Sequence, residues 1–208
     1  LAGFESVLAG GDGAGEQGGA GGAEVVGAAA GEDGLEAGQG DVVVRGVDED
    51  QAVETVRHAV EQGVDFIDTS RAYTNSESRI GKALKLTDKK VILASKSVSR
   101  KSGDVRADLE KSLSELQVGH INLYQCHFVS TQEDYQQVIQ AGGAFDTLVK
   151  AKEEGLIGHI GITSHSLEVL DRALNDGLFE TIMVCFSFLE PAAKESIIPK
   201  ALEKNTGV

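Results

Sequence analysis

The sequence predicts an α/β protein of the (β/α)8 TIM-barrel type, incomplete, with about five to six βα units following a Gly/Ala-rich N-terminal segment. Three observations predict it. Beyond residue 48, helical and strand patterns alternate, and strands recur at roughly 25–35-residue spacing, which is the signature of βαβ units and a parallel sheet. No G-x-G-x-x-G follows the first clear strand, where a doubly wound dinucleotide-binding sheet would carry one. Polar residues cluster instead at the C-terminal ends of successive strands (Asp68, Lys96, His127, Thr163 with Ser164, and Ser187), the rim on which parallel barrels build their chemistry.

The elements follow in order. Asp48 or Asp50 can cap a helix in which Ala52, Val53, Val56, Ala59 and Val60 recur at three- and four-residue steps, stopping at Gly63. A short apolar strand runs over 64–68, a helix over about 78–84, and a strand over 91–96. Val105, Leu109, Leu113 and Leu116 share one face of a helix over about 104–116. A strand over 121–127 leads into a polar stretch, and a helix near 144–154 is closed by Gly155. Gly142-Gly143 reads as a helix-start turn, because no Lys-Ser or Lys-Thr follows to make a phosphate loop. A strand over 159–163, a helix over 167–174 with Gly177 behind it, a strand over 181–188 and a helix over 194–204 complete the series. Five strands are clear, and 41–44 is a candidate sixth.

Residues 1–40 are different in kind. They hold 14 of the 26 glycines, nine alanines, seven carboxylates and neither Lys nor Arg. Phe4 is their only aromatic residue, and their apolar residues follow neither helical nor strand periodicity. Glycine at this density makes ordering entropically costly, so a disordered low-complexity leader is one expectation. The genetic code supplies another. Gly, Ala, Val, Asp and Glu, whose codons all begin with G, fill 37 of the first 44 positions. A coding segment read out of register would leave that bias. The domain reading is therefore 1–40 as a leader or misread segment and 41–208 as a partial barrel.

Composition excludes several classes. The glycines lack a three-residue period, which rules out collagen. No apolar run approaches the roughly 18–20 residues that cross a bilayer, and the first residues lack the basic and apolar regions of a secretory signal. A net charge of −14 argues against nucleic-acid backbone binding. Cys126 and Cys185 imply no disulfide framework, so the expected setting is the reduced cytoplasm. His58, His120, His127, His159 and His165 show no metal-ligand spacing, and no metal site is expected.

The chemistry is concentrated in Asp68, Tyr73, Lys96 and His127. Three of these close consecutive strands, and Tyr73 lies in the loop after the first. A tyrosine with an ordinary pKa near 10 is a reluctant acid at neutral pH. A neighbouring Lys96 ammonium would lower that pKa, Asp68 would hold the lysine, and His127 would orient a carbonyl oxygen. Each residue also has a plain reading: a turn cap for Asp68, a packing ring for Tyr73, a snorkelling chain for Lys96, a core histidine for His127. Their joint occurrence at successive strand ends favours the chemical one. A Schiff-base aldolase using Lys96 is the competing enzyme class.

The stretch Gly63-Val64-Asp65-Phe66-Ile67-Asp68-Thr69-Ser70-Arg71-Ala72-Tyr73, with Ser76-Glu77 and Ile80-Gly81-Lys82-Ala83-Leu84, resembles the active-site signature of the aldo-keto reductases. Asp108 to Leu113 with Leu116, Ile121 to His127, and Ala151 to Gly155 with His159 to Ser164 resemble later blocks of that family. The resemblance covers about residues 42–208. It implies NADP(H)-dependent reduction of a small aldehyde or ketone by hydride transfer, with Tyr73 as proton donor and Asp68, Lys96 and His127 in support. It also implies cofactor contacts from Thr163, Ser164 and Met183. Ser164 stands where the family commonly has Asn, and Met183 where many members have Gln, which weakens the inferred carboxamide contacts. The family's first strand has no match in residues 1–40, and the similarity ends at Asn205-Thr206-Gly207-Val208, which resembles the entrance to strand seven. A truncated, non-catalytic chain of the same family, a pseudoenzyme or binding module lacking much of the cofactor site, is the alternative expectation. Open barrel edges would then favour self-association.

Overall fold

Five strands, each followed by its helix, curl into half of a barrel, and the computed structural model describes residues 48–208 together with the backbone of one short strand before them. That short strand is β1 (Glu24–Val26). Helix α1 (Glu49–Glu61), β2 (Phe66–Asp68), α2 (Ser76–Leu84), β3 (Ile92–Ser97), α3 (Ser102–Leu116) and β4 (Ile121–Cys126) follow. Two helices, α4 (Gln132–Ile139) and α5 (Ala144–Glu153), precede β5 (Ile157–Ser164). Then come α6 (Leu167–Asp176), β6 (Thr181–Val184), a 3-10 turn (Ala192–Lys194) and α7 (Ile197–Glu203).

The sheet order is β1-β2-β3-β4-β5-β6, and every pairing is parallel. Gly207 adds a parallel bridge to Thr181, in the place a further strand would take beside β6. The expected alternation is therefore present, and each strand lies beside the next one in sequence around the curve. The candidate strand over 41–44 lies outside the described residues. A strand at Glu24–Val26 was not anticipated, since the Gly/Ala-rich segment carries no strand periodicity.

Local chemistry sets the helix limits. Asp48 caps α1 by accepting from the Asp50 amide at 3.4 Å, and Val53, Val56 and Val60 bury the inner face. Gly63, Gly155 and Gly177 all adopt positive φ just beyond α1, α5 and α6, as their positions as helix stops require. Gly143 begins α5 hard against the end of α4; a Cβ there would sit 2.5 Å from the Gln137 carbonyl oxygen. The core lies between sheet and helices, where Leu109, Leu116, Ile121, Leu148, Ile162 and Leu170 are all within 1 % of complete burial.

Two elements depart from expectation. The polar stretch after β4 forms α4, capped by the Thr131 hydroxyl on the Asp134 amide at 3.1 Å. Only Tyr135 and Val138 of α4 are buried, so its apolar period is too sparse to read. Strand β6 stops at Val184 rather than 188. Its partner strand ends there, with Ser164 opposite Val184. Ser187 then bends the chain by accepting from the Leu189 and Glu190 amides at 3.2 Å. Phe186, Phe188 and Leu189 are consequently exposed, at 53 %, 98 % and 86 %. Among the described residues no helix is long and apolar enough to cross a membrane.

Candidate active site

Parallel strands deliver their C-terminal side chains to one rim, and four of the expected residues meet there. Asp68 ends β2 and Lys96 lies near the end of β3; both are almost fully buried, and Lys96 Nζ is ion-paired with Asp68 Oδ2. Two charges so far from water hold each other only if the geometry is good and their remaining valences are filled. Gln125 of β4 helps to fill them, donating from Nε2 to Asp68 Oδ1 at 3.1 Å. Lys96, Gln125, Gly161 and Thr181 occupy one register row across β3, β4, β5 and β6. The glycine in that row is required: a Cβ on Gly161 would stand 2.9 Å from Gln125 Cγ and closer still to Thr181 Oγ1.

Tyr73 is placed by a tight loop between β2 and α2. Its amide donates to the Ser70 carbonyl at 3.0 Å, and its own carbonyl accepts from Ser76 at 2.8 Å. A second buried polar layer supports this loop. Glu77, 1 % exposed, accepts from Ser95 Oγ at 2.6 Å and pairs with Arg71, whose Nη1 also reaches Glu115 at 3.3 Å. The Tyr73 ring comes to rest over the ion pair, its centroid 5.4 Å from Lys96 Nζ.

His127 directly follows β4. Its ring stands edge-on to Tyr73, centroids 5.7 Å apart and planes at 87°. Its amide donates to the Ser97 carbonyl at 2.9 Å, and its carbonyl accepts from Arg100 Nη2 at 2.9 Å. Arg100 also donates to the Phe128 carbonyl at 3.1 Å and pairs with Asp134 of α4 at 2.6 Å. The arginine thus ties the loop after β4 to the helix that follows.

The electrostatics correct one expectation. Tyr73 was expected to be made more acidic by Lys96. Its phenol is instead held above the ordinary value, first by burial and second by the negative charge of Asp68. Asp68 sits in contact with the lysine, so its carboxylate opposes the ammonium at the ring. The phenol therefore keeps its proton throughout the neutral range. His127 moves in the opposite direction, to about 4, through burial first and then the neighbouring charges of Lys96 and Arg100. It is a neutral imidazole at working pH.

The His127 shift has a consequence for stability. Unfolding frees the imidazole to bind a proton below about 6.5, while the folded ring takes one only near 4. Stability from this group is therefore full above pH 6.5 and is lost as pH falls toward 4, by up to about 3 kcal/mol. Urea unfolding at pH 7.5 and pH 4.5, for the wild type and His127→Gln, checks this. The wild type should lose more stability between the two pH values than the variant; equal losses would refute the assignment.

The three expected cofactor-side residues lie on the neighbouring strand ends. Thr163, at the end of β5, accepts from the Phe128 amide through Oγ1 at 2.9 Å and keeps a hydroxyl proton to donate. Ser164 has none to spare: its Oγ donates to the Val129 carbonyl at 2.6 Å and accepts from Ser166 at 2.9 Å. Met183 stands opposite Thr163 on β6 and is half-buried. Thr163 and Met183 thus stand side by side at the rim, whereas Ser164 serves the loop. Ser187 lies in the bend beyond β6 and does not reach the cluster as a strand-end residue. Ser70 and Gln125, which touch His127 and Asp68, were not singled out in the sequence. A glutamine inside an apolar strand, one register step from a buried lysine, was the available signal.

Comparison with known proteins places the same features in wider company. The profile of the Aldo/keto reductase family matches residues 34–208, reaching further toward the N-terminus than the motifs do. The chain is 31 % identical over 170 residues to the aldo-keto reductase YhdN of Bacillus subtilis, covering 75 % of this chain and 50 % of that one. It is 32 % identical over 180 residues to L-galactose dehydrogenase of Arabidopsis thaliana, covering 78 % and 54 %. Among solved structures, the holo form of the aldo-keto reductase AKR11C1 from Bacillus halodurans superposes with a TM-score of 0.67 at 26 % identity, over 77 % of this chain and 56 % of that one. The chain thus spans about half the length of the curated relatives it matches.

Proposed function

Because the chain belongs to the aldo-keto reductase family, we propose that it reduces the carbonyl group of a small aldehyde or ketone, using NADP(H), with Tyr73 as the proton donor. The observation that carries this reading is the buried Asp68–Lys96 pair beneath the Tyr73 ring, with neutral His127 edge-on beside it. An ion pair at that depth is costly as a packing device and useful as a fixed electrostatic floor for a reaction.

NADPH, when bound, supplies the hydride. Thr163 and Met183 are the residues fitted to hold its nicotinamide end. His127, uncharged, offers a ring N–H to the carbonyl oxygen and so fixes the carbonyl carbon toward the hydride. As that oxygen becomes an alkoxide, it turns far more basic than a phenolate. Tyr73 then gives up its proton downhill, even though its phenol resists ionisation in the free site. The ammonium of Lys96 stabilises the phenolate left behind, and Asp68 keeps the ammonium in place.

Titrating the 208-residue protein into NADPH while following nicotinamide fluorescence tests cofactor binding. Loss of NADPH absorbance with a panel of small aldehydes and ketones tests reduction. Micromolar binding and turnover are expected. Binding without turnover on any substrate, or no binding at all, would overturn the proposal in favour of a non-catalytic member of the family. Trapping of a lysine adduct by borohydride would favour the aldolase instead.

A further inference from the structure

Ser70 is 1 % exposed, lies between the ion pair and His127, and has no part in the proton delivery described above. Three polar atoms surround its hydroxyl oxygen. His127 Nδ1 is 2.9 Å away, the Lys96 carbonyl oxygen 3.2 Å and the Ala72 amide nitrogen 3.2 Å. The Ala72 N–H can only donate, so it occupies a lone pair of the serine oxygen. The hydroxyl has one proton of its own and two acceptors within reach.

Hydrogen-bond bookkeeping decides between them. The Lys96 carbonyl already accepts the Arg71 N–H at 2.9 Å, so it is satisfied without the serine although its second lone pair lies within reach of the hydroxyl. His127 Nδ1 has no other partner among the described residues, and it is the nearer of the two. The backbone that carries the imidazole is also held in place. The Ser97 and Arg100 bonds anchor its backbone on both sides, and the Tyr73 ring stands perpendicular to it with centroids 5.7 Å apart. A neutral imidazole carries one proton, on whichever nitrogen is not accepting.

We propose that the Ser70 hydroxyl donates to His127 Nδ1 and thereby fixes the histidine in its Nε2–H tautomer, which makes Ser70 a positioning residue for carbonyl reduction. The catalytic meaning rests on the function proposed above, in which Nε2–H meets the substrate oxygen. The opposite tautomer would present a lone pair to that oxygen and repel it. Phe128, adjacent to His127, is held at a φ of +53°, a backbone conformation that residues with a side chain resist.

The test reads the tautomer directly. Long-range proton–nitrogen correlation spectra are recorded near pH 7.5 on the full chain with 15N-labelled histidine, and the His127 signals are assigned by their loss in His127→Gln. The wild type is expected to show a protonated Nε2 and an unprotonated, hydrogen-bonded Nδ1. Ser70→Ala should shift the Nδ1 resonance and mix the tautomers, whereas Ser70→Thr, which keeps the hydroxyl, should restore the wild-type pattern. In parallel, Ser70→Ala should lower kcat about tenfold, the scale of one lost neutral hydrogen bond, with little change in KM. An Nδ1–H tautomer in the wild type would overturn the proposal, and so would a Ser70→Ala spectrum identical to wild type. The wild-type spectrum decides even if Ser70→Ala fails to fold. The expected spectra without carbonyl turnover by the wild type would leave the tautomer assignment standing and reject the proposed reaction.

Discussion

Replacing Tyr73 with phenylalanine is expected to lower carbonyl reduction by about 10²–10⁴-fold, the contribution typical of a positioned general acid. The loss should appear in kcat, because the phenol proton moves only once charge has built up on the substrate oxygen. Folding should hardly change. The Tyr73 hydroxyl has no hydrogen-bond partner among the described residues, and the phenylalanine ring keeps the contacts to Lys96 and His127. Urea midpoints of the two proteins should therefore agree within about 0.5 kcal/mol. NADPH affinity, read by fluorescence, should also be unchanged. Equal turnover in the variant would remove Tyr73 from the proton-donor role while leaving the family assignment intact.

The direction of the Tyr73 shift matters for the pH profile. A phenol made more acidic would begin to lose its proton within the neutral range, and turnover would fall as pH rose. A phenol held above its ordinary value stays loaded with its proton up to alkaline pH. His127, displaced to about 4, is likewise uncharged throughout the same range. The rate of carbonyl reduction should therefore be nearly flat between about pH 6 and pH 9, and the Tyr73→Phe residual rate should be flat as well.

Much of this was legible in the sequence for identifiable reasons. Helix ends were readable because Gly63, Gly155 and Gly177 mark backbone positions that side-chain-bearing residues resist. The rim was readable because parallel topology sends Asp68, Lys96 and His127 to one end of the sheet, whatever the details of packing. Helix α4 was not, since two buried residues in eight do not make a stripe. The end of β6 was not either. Residues 185–188 continue the strand pattern, and only the end of the neighbouring β5 shows that they have nothing to pair with. The sign of the Tyr73 shift failed for a third reason. A pairwise reading of Lys96 on Tyr73 omits Asp68, and burial strengthens that omitted charge along with the others.

Asp68→Asn should be the most destabilising substitution at the site. It preserves shape but removes the carboxylate paired with Lys96, which lies 1 % exposed in the barrel interior. Breaking one side of a buried pair typically costs about 3–5 kcal/mol, a large share of the roughly 5–15 kcal/mol that holds a domain together. Gln125 loses its charged acceptor in the same step. The double variant Asp68→Leu with Lys96→Met separates stability from function. Apolar residues of similar volume need no charge partner, so its urea midpoint should recover much of what Asp68→Asn loses. Carbonyl reduction should remain lost in both, because the single variant leaves the Lys96 ammonium without its carboxylate and the double variant has no ammonium beneath the Tyr73 ring. A double variant that stayed as unstable as Asp68→Asn would mean that the pair is a packing requirement of the fold. Recovery of stability without activity would mean that the charges are kept for the chemistry, and that the barrel itself has no need of them.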